Sequence, residues 1–438
     1  MARKSLTSTL NAFMNGRKVG QLIRRPNGAM EFTYDTKWLA WPDTRPISLS
    51  LPLTSSTMTG SEVFNYFDNL LPDNPQTRER IQARFDTETT RPFDLLAQIG
   101  GDCVGALQLT PNEIPPDINT INGTPVTDQD IARRLKSYIQ TPLGMQENED
   151  FRISIAGAQE KTAFLWHDNQ WKVPLGATPT THIFKLPIGM IAGSELDLTT
   201  SCENEWLCMK ITEAFGQPTA QVQLGQFDDQ TVLIVERFDR RKLRTNEGIV
   251  RLPQEDMCQA LGIPPGRKYE SEGGPGIASI MDILRYSENA QIDREIFMRT
   301  MIVFWLLAAI DGHGKNFSVF IKPEGLYRLT PLYDIMSAHP LVGAGKWQYQ
   351  DLKMGMAALG KNKHFVWNKI LPRHWISTAE KIKFSPKKMQ AIIEESFDGV
   401  EEVIHQVSTQ LPPGFPSSVS DAIFNGMRSV RDRFKDSI

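Results

Sequence analysis

The succession of strand and helix signals predicts an α+β chain, with strands gathered in its first half and helices in its second. Three observations carry that class. The first forty residues alternate short β-prone runs with turn dipeptides, residues 153–237 do the same around a single inserted helix, and the pattern beyond Arg237 is helical apart from two strand-like runs. With 438 residues, 40% of them hydrophobic, the chain can form two or three domains with substantial cores.

LNAFM, RKVGQLIRR and AMEFTYD read as strands joined by turns at Asn15-Gly16 and Pro26-Asn27-Gly28, which makes a small twisted sheet. SEVFNYFDNLLPD, from Ser61 to Asp73, reads as a helix stopped by its proline, and Leu95 to Leu109 returns from helix to strand through Gly100-Gly101. The Pro- and Asn-rich stretch from Pro111 to Pro125 reads as an exposed connection and a subdomain boundary. Next come strand signals in SIAGAQEK, KTAFLW, QWKVP, THIFKLP, AQVQL and TVLIVERF, with a helix from about Ser201 to Phe215. Helical signals then run to the end, broken only by FSVFI and YRLTPLYD around Pro323 to Gly325. These shifts divide the chain into 1–125, 126–237 and 238–438.

Composition excludes more than it assigns. A net charge of −3 gives no global attraction to nucleic acid or anionic membrane, so such a partner would need a local patch. Cys103, Cys202, Cys208 and Cys258 have no CxxC spacing and the seven histidines form no HxxxH pair, so buried free thiols are expected rather than zinc or disulfides. The N-terminus lacks a signal-peptide core, and Met301 to Ile310, the longest apolar run, is half a membrane span. A soluble cytosolic protein without a membrane partner is expected.

The stretch AAIDGHGKNFSVFI, Ala308 to Ile321, concentrates polar residues between apolar runs. Asp-Gly can simply end a helix, and Gly-His-Gly can be a turn that exploits the positive φ open to glycine. Asp311 followed five positions later by Asn316 is also the spacing of a phosphotransferase catalytic loop. Asp334 follows the second strand of the hairpin in LTPLYDIMS, so the hairpin would return it beside Asn316 as a second oxygen ligand for Mg²⁺. Lys185 stands in the β-prone THIFKLP, where an amine needs an anion or water for its head. In the helix that follows, Cys208, Ile211 and Phe215 mark the apolar side. Glu205 lies on its edge and Glu203 on the solvent side with Lys210, which selects Glu205 as the partner of Lys185. Phosphoryl transfer needs this set: a cation for the phosphates, metal-binding oxygens and an acid that orients the incoming hydroxyl. Ile155, Ala156, Gly157 and Ala158 would supply a hairpin cover whose backbone N–H groups approach the phosphates. It is not a Walker A loop, and SEGGPGIAS reads as a loop before a helix.

FDNLLPD, RISIAGAQEK, THIFKLP, ENE, VERFDR, RLPQEDMCQ, DGHGKNFS and PLYDIMS, in that order, resemble the HipA family of serine/threonine toxin kinases over nearly the whole chain. The resemblance implies a two-lobed, phosphoinositide-kinase-like atypical kinase fold, with an N-terminal β-rich subdomain, a nucleotide-binding upper lobe and an all-helical lower lobe. It implies ATP and Mg²⁺, with Asp311 as the catalytic aspartate, Asn316 and Asp334 as metal ligands and Lys185 on the nucleotide phosphates. Glu236 and Phe238 match the connection that holds adenine, and Ser154 matches an autophosphorylated serine. His313 and Tyr333 fall in the nucleotide site, His313 and Lys315 as supporting residues with no chemical step assigned. The family also implies a HipB-like helix-turn-helix antitoxin, operator DNA bound through it, and an aminoacyl-tRNA synthetase substrate, chiefly the glutamyl enzyme.

A binding function arises separately from KMGMAALGKNKHFVWNKILPRHW, Lys353 to Trp375, which carries five Lys and Arg and no acid. Lys369 and Arg373 are its candidate DNA-backbone contacts, for a corepressor role alongside or instead of catalysis. A small-molecule phosphotransferase of similar fold is the third reading.

Overall fold

Asn15 and Gly16, both at positive φ, turn β1 (Ser8–Met14) back into β2 (Arg17–Arg24), which pairs in turn with β3 (Met30–Tyr34). The computed structural model of the chain describes residues 8–140, 161–190, 196–243 and 248–435. After α1 (Thr36–Leu39), β4 (Met58–Thr59) joins the sheet edge, and α2 (Ser61–Asp68), α3 (Pro75–Phe85) and α4 (Pro92–Ile99) follow. β5 (Leu107–Thr110) closes an antiparallel sheet of order β4-β3-β2-β1-β5. Val63, Tyr66 and Phe67 of α2, three and four residues apart, pack with Leu22, Phe32 and Leu96 in one core.

The second unit begins with β6 (Gly123–Pro125), so its sheet starts just inside the connection that the sequence assigns to the first. α5 (Asp128–Gln140), β7 (Lys161–His167), β8 (Gln170–Pro174), β9 (His182–Lys185), the small pair β10 (Gly189–Met190) and β11 (Asp197–Leu198), α6 (Ser201–Ala214), β12 (Val222–Phe227) and β13 (Gln230–Glu236) complete it. The main sheet has the order β12-β13-β9-β7-β8-β6. Successive side chains of β9 point to opposite faces: Phe184 packs with Ile131 and Leu135 of α5, and Lys185 emerges on the other side. Lys161 of β7 is the direct partner of Lys185, so both amines leave the same face.

The third unit is not all-helical. β14 (Arg240–Lys242) and β15 (Ile249–Arg251) form a hairpin, and β16 (Gln254–Asp256) precedes α7 (Met257–Ala260), α8 (Ile277–Leu284) and α9 (Ala290–Leu306). β17 (Ser318–Ile321) and β18 (Tyr327–Leu329) join β16 in a three-stranded sheet. After α10 (His339–Gly343) comes a hairpin of β19 (Lys353–Leu359) and β20 (Lys363–Val366). It escapes sequence reading because Met354 through Ala358 are all buried, so no alternation marks the strand, and glycine and alanine are weak strand formers. α11 (Pro372–Lys381), α12 (Pro386–Asp398) and α14 (Ser417–Phe434) pack with α9, where Trp305 meets Trp375, Phe397 and Phe434, while α13 (Val400–Ser408) packs on α6. All four cysteines are buried and free. Among the described residues no helix is long and apolar enough to cross a membrane.

Candidate active site

Lys185 ends β9 with its side chain buried, and its Nζ donates to Glu205 Oε1 and to Asp334 Oδ1, each at 2.7 Å. Burial works against its charge, but the two carboxylates outweigh that and hold its pKa above the usual range. Burial likewise opposes ionisation of Asp334, yet Lys185 and Lys161 hold that carboxyl well below its usual range. Glu205 is the more deeply enclosed of the two acids, and burial pushes it up to about 7 against the pull of Lys185. Glu203 is half-buried and makes no contact with the lysine. Between them Asn204 exchanges hydrogen bonds with the backbone of Ser337, at 2.8 and 2.9 Å, which ties α6 to the segment carrying Asp334. Asp334 itself has φ +61°, a left-handed conformation that Asp tolerates better than bulkier residues.

The catalytic-loop candidate follows α9 directly. Asp311 is exposed, whereas Gly312 through Asn316 are buried. Neither Gly312 nor Gly314 has positive φ, so the turn explanation of these glycines fails. Close packing replaces it: a Cβ on Gly312 would lie 2.5 Å from the Phe304 ring, and one on Gly314 2.5 Å from Pro275. Asn316 Oδ1 accepts from His313 N–H at 3.0 Å, and its Nδ2 lies 3.3 Å from Asp334 O and 3.5 Å from Asp334 Oδ2. The hairpin therefore does return Asp334 to Asn316. Tyr269 donates its hydroxyl to Asp311 Oδ1 and stands edge-on to His313. Burial lowers the pKa of His313, which favours a neutral ring, and its Nδ1 makes no hydrogen bond.

A cavity of about 290 Å³ connects these groups, with Lys161, Lys185, Glu205, Asp311, His313 and Asp334 among its lining residues. Glu236 and Phe238 line its other end, where Phe238 packs against Tyr333 and Phe320 at 5.7 Å each. The Tyr333 hydroxyl donates to Lys315 O at 2.8 Å and pairs with Ser318 Oγ, so this ring braces the candidate loop. Ser154, Ile155, Ala156, Gly157 and Ala158 lie outside the described residues.

Two family models match the chain: the HipA-like C-terminal domain over residues 153–404 and the HipA N-terminal domain over 10–110. The chain belongs to the HipA kinase family. The Sinorhizobium fredii protein named "Putative kinase Y4mE" is 35% identical to this chain over 334 residues, covering 75% of it and 77% of the relative. The serine/threonine-protein kinase toxin HipA of Shewanella oneidensis is 26% identical over 347 residues, covering 76% and 75%. In fold, this chain is similar to one from a solved toxin-antitoxin complex of Shewanella oneidensis HipA, HipB and operator DNA, with a TM-score of 0.81, 21% identity and coverage of 98% and 97%.

Several polar groups of this chain had no sequence signal of their own. Lys161 brings a second amine to the face that carries Lys185, and burial with the neighbouring Lys185 lowers its pKa to about 8. Lys268 and Tyr269, from the loop before α8, pack on the candidate catalytic loop, where Lys268 O accepts from Gly314 N–H at 3.1 Å. Much of the basic stretch from Lys353 to Trp375 is core: Trp367, Ile370 and Trp375 are buried, and Lys363 pairs with Glu270 at 2.8 Å. Lys369 and Arg373 are exposed, flanking Pro372 at the first turn of α11.

Proposed function

We propose that this chain is an ATP- and Mg²⁺-dependent serine/threonine protein kinase with the two-lobed atypical kinase fold, acting as the toxin of a toxin-antitoxin module. The observation that carries the reading is Lys185 held between Glu205 and Asp334 in the wall of a cavity that also exposes Asp311. Lys185 and Lys161 contact the nucleotide phosphates, and the backbone from Glu236 to Phe238 receives the adenine. Asp311, the one exposed residue of its loop, orients the acceptor hydroxyl and takes its proton as the phosphoryl group moves. Asp334 and Asn316 form an all-oxygen donor set suited to a hard cation, one of them a carboxylate that its surroundings keep ionised. Bound there, Mg²⁺ would neutralise charge on the phosphate oxygens.

The resemblance extends the proposal to an aminoacyl-tRNA synthetase, chiefly the glutamyl enzyme, as substrate, to autophosphorylation at Ser154, and to a HipB-like antitoxin that bridges to operator DNA. The exposure of Lys369 and Arg373 favours a contribution of this chain to the DNA contact. Incubating the purified chain with radiolabelled ATP and a cell lysate tests the reading. Label should enter protein with wild-type chain and vanish with Asp311→Ala while the fold persists. Transfer to small molecules alone would establish the phosphotransferase alternative instead.

A further inference from the structure

The cavity has a third wall that a two-lobed kinase does not require, because Asn69, Leu70, Asp73 and Val104 of the N-terminal subdomain line it. Asp73 is largely buried and sits in a braced turn. Arg78 donates to Pro72 O and to Asp68 Oδ1, both at 2.6 Å, and Asn74 caps α3 immediately after it. Its Oδ1 accepts from Lys315 Nζ at 2.7 Å, while Oδ2 lies 3.6 Å from Lys268 Nζ and makes no hydrogen bond. Lys315 is the neighbour of Asn316, and Lys268 is the neighbour of Tyr269, which bonds Asp311. One carboxylate from the N-terminal subdomain thus touches both chain segments that flank the catalytic acid.

Docking of the subdomain does not need this contact. Asn15 exchanges two hydrogen bonds with Arg251, Asn65 and Asn69 donate to Gly262 O and Ile263 O, and Glu255 accepts from Leu49 N–H. What Asp73 adds is local. Lys315 shares its cavity with the carboxylates Asp311 and Asp334, and an ammonium without a fixed partner would be drawn to one of them. We infer that Asp73 is a positioning residue for phosphoryl transfer, which clamps Lys315 on the cavity wall and keeps it from Asp311 and Asp334. The N-terminal subdomain is then part of the active site. This inference rests on the kinase reading above.

The full chain, D73N, K315M and the double variant are compared in three measurements. Transfer of label from radiolabelled ATP, into the chain itself and lysate protein, should fall about tenfold in D73N with KM for ATP within about twofold of wild type, as expected for loss of positioning without loss of binding. The double variant should be no slower than K315M, because Asp73 acts through Lys315. Acetylation of Lys315 by an N-hydroxysuccinimide ester, read by peptide mass spectrometry without any catalysis, should rise about threefold or more in D73N as the side chain is released. Equal transfer by D73N, a further loss in the double variant, or unchanged acetylation would each overturn the clamp. So would a D73N chain that failed to fold, since the remaining contacts would then not be holding the subdomain. A wild-type chain that transfers no label would refute the kinase reading, while the acetylation comparison would still decide whether Asp73 holds Lys315.

Discussion

Asp102 offers the sharpest test of how the three units are held around the cavity. It sits in the turn between α4 and β5 and is buried. Its two oxygens accept from Thr180 N–H at 3.1 Å and Thr180 Oγ1 at 2.7 Å, from Arg240 at 2.9 Å, and from Arg251 Nη2 and Nε at 3.1 and 3.2 Å. Arg237 approaches to 3.4 Å and is shared with Asp239. Three guanidinium groups therefore face two carboxylates, and Asp102→Asn would leave three facing one with no change in volume. Breaking a buried ionic network from one side costs about 3–5 kcal/mol. For domains somewhat smaller than this chain, each kcal/mol moves the thermal midpoint about 2–4 °C, so a drop on the order of 10 °C is expected.

Burial alone would raise the Asp102 pKa, but Arg240, Arg237 and Arg251 outweigh it and hold the carboxyl below its usual range. A depressed folded-state pKa contributes stability that is present above the unfolded value, about 3.9, and is lost as pH falls below it. The gap between wild type and Asp102→Asn should therefore be widest near neutral pH and only begin to narrow at pH 3.5, just below the unfolded value. Urea unfolding at pH 7 and at pH 3.5 measures both. A neutral-pH difference below about 0.5 kcal/mol, within the range of ordinary surface substitutions, would refute the assignment of Asp102 as the centre of this network.

Glu205→Gln should weaken nucleotide binding about tenfold, ~1.4 kcal/mol, because Lys185 loses its enclosed partner, while Glu203→Gln should leave it unchanged; titration with a fluorescent nucleotide compares the two. Lys161, facing Lys185, Asp334, Asp73 and Glu205 with a pKa near 8, should be partly neutral at pH 8.5 and charged beside polyphosphate, so nucleotide binding should take up a proton. Calorimetry in buffers of different ionisation enthalpy would show that uptake, and Lys161→Met should abolish it. Charge reversal at Lys369 and Arg373 should weaken an assembly with antitoxin and operator DNA more at low salt than at high salt, with ATP turnover unaffected, in a binding titration across ionic strengths.

Legibility followed sequence distance. Lys185 and Glu205 belong to a strand and the next long helix, and Asn316 and Asp334 to the two ends of one hairpin, so local periodicity and topology sufficed to bring each pair together. Asp73 and Lys315 are 242 positions apart, and Asp102 and Arg251 are 149 apart. By local pattern FDNLLPD reads as a helix running into a proline, and Gly-Gly-Asp-Cys as a turn, because nothing within either segment indicates a distant cation. Gly312 and Gly314 were legible as glycines but not as packing positions, since Phe304 and Pro275 come from elsewhere in the chain. The β19–β20 hairpin was hidden for the opposite reason: burial on both faces erased the alternation that announces a strand.

The same carboxylate-to-cation motif crosses each boundary of the fold: Asp334 to Lys185, Asp73 to Lys315, and Asp102 to Arg237, Arg240 and Arg251. The large expected cost of Asp102→Asn is not a measure of what such contacts add to stability, because most of it is the penalty for leaving guanidinium groups buried without their partner. Replacing a whole buried pair by apolar groups is often neutral; one apolar cluster already spans the second and third units, and the neutral hydrogen bonds of Asn15, Asn65 and Asn69 already tie the first unit to the third. Apolar packing, however, tolerates sliding and rotation, whereas a carboxylate bonded at 2.7 Å fixes an amine in direction as well as distance. Phosphoryl transfer has little covalent work for a protein to do and depends on placing charges. That is the physical reason for a chain of this kind to keep ions where hydrophobic residues would hold its units together as well.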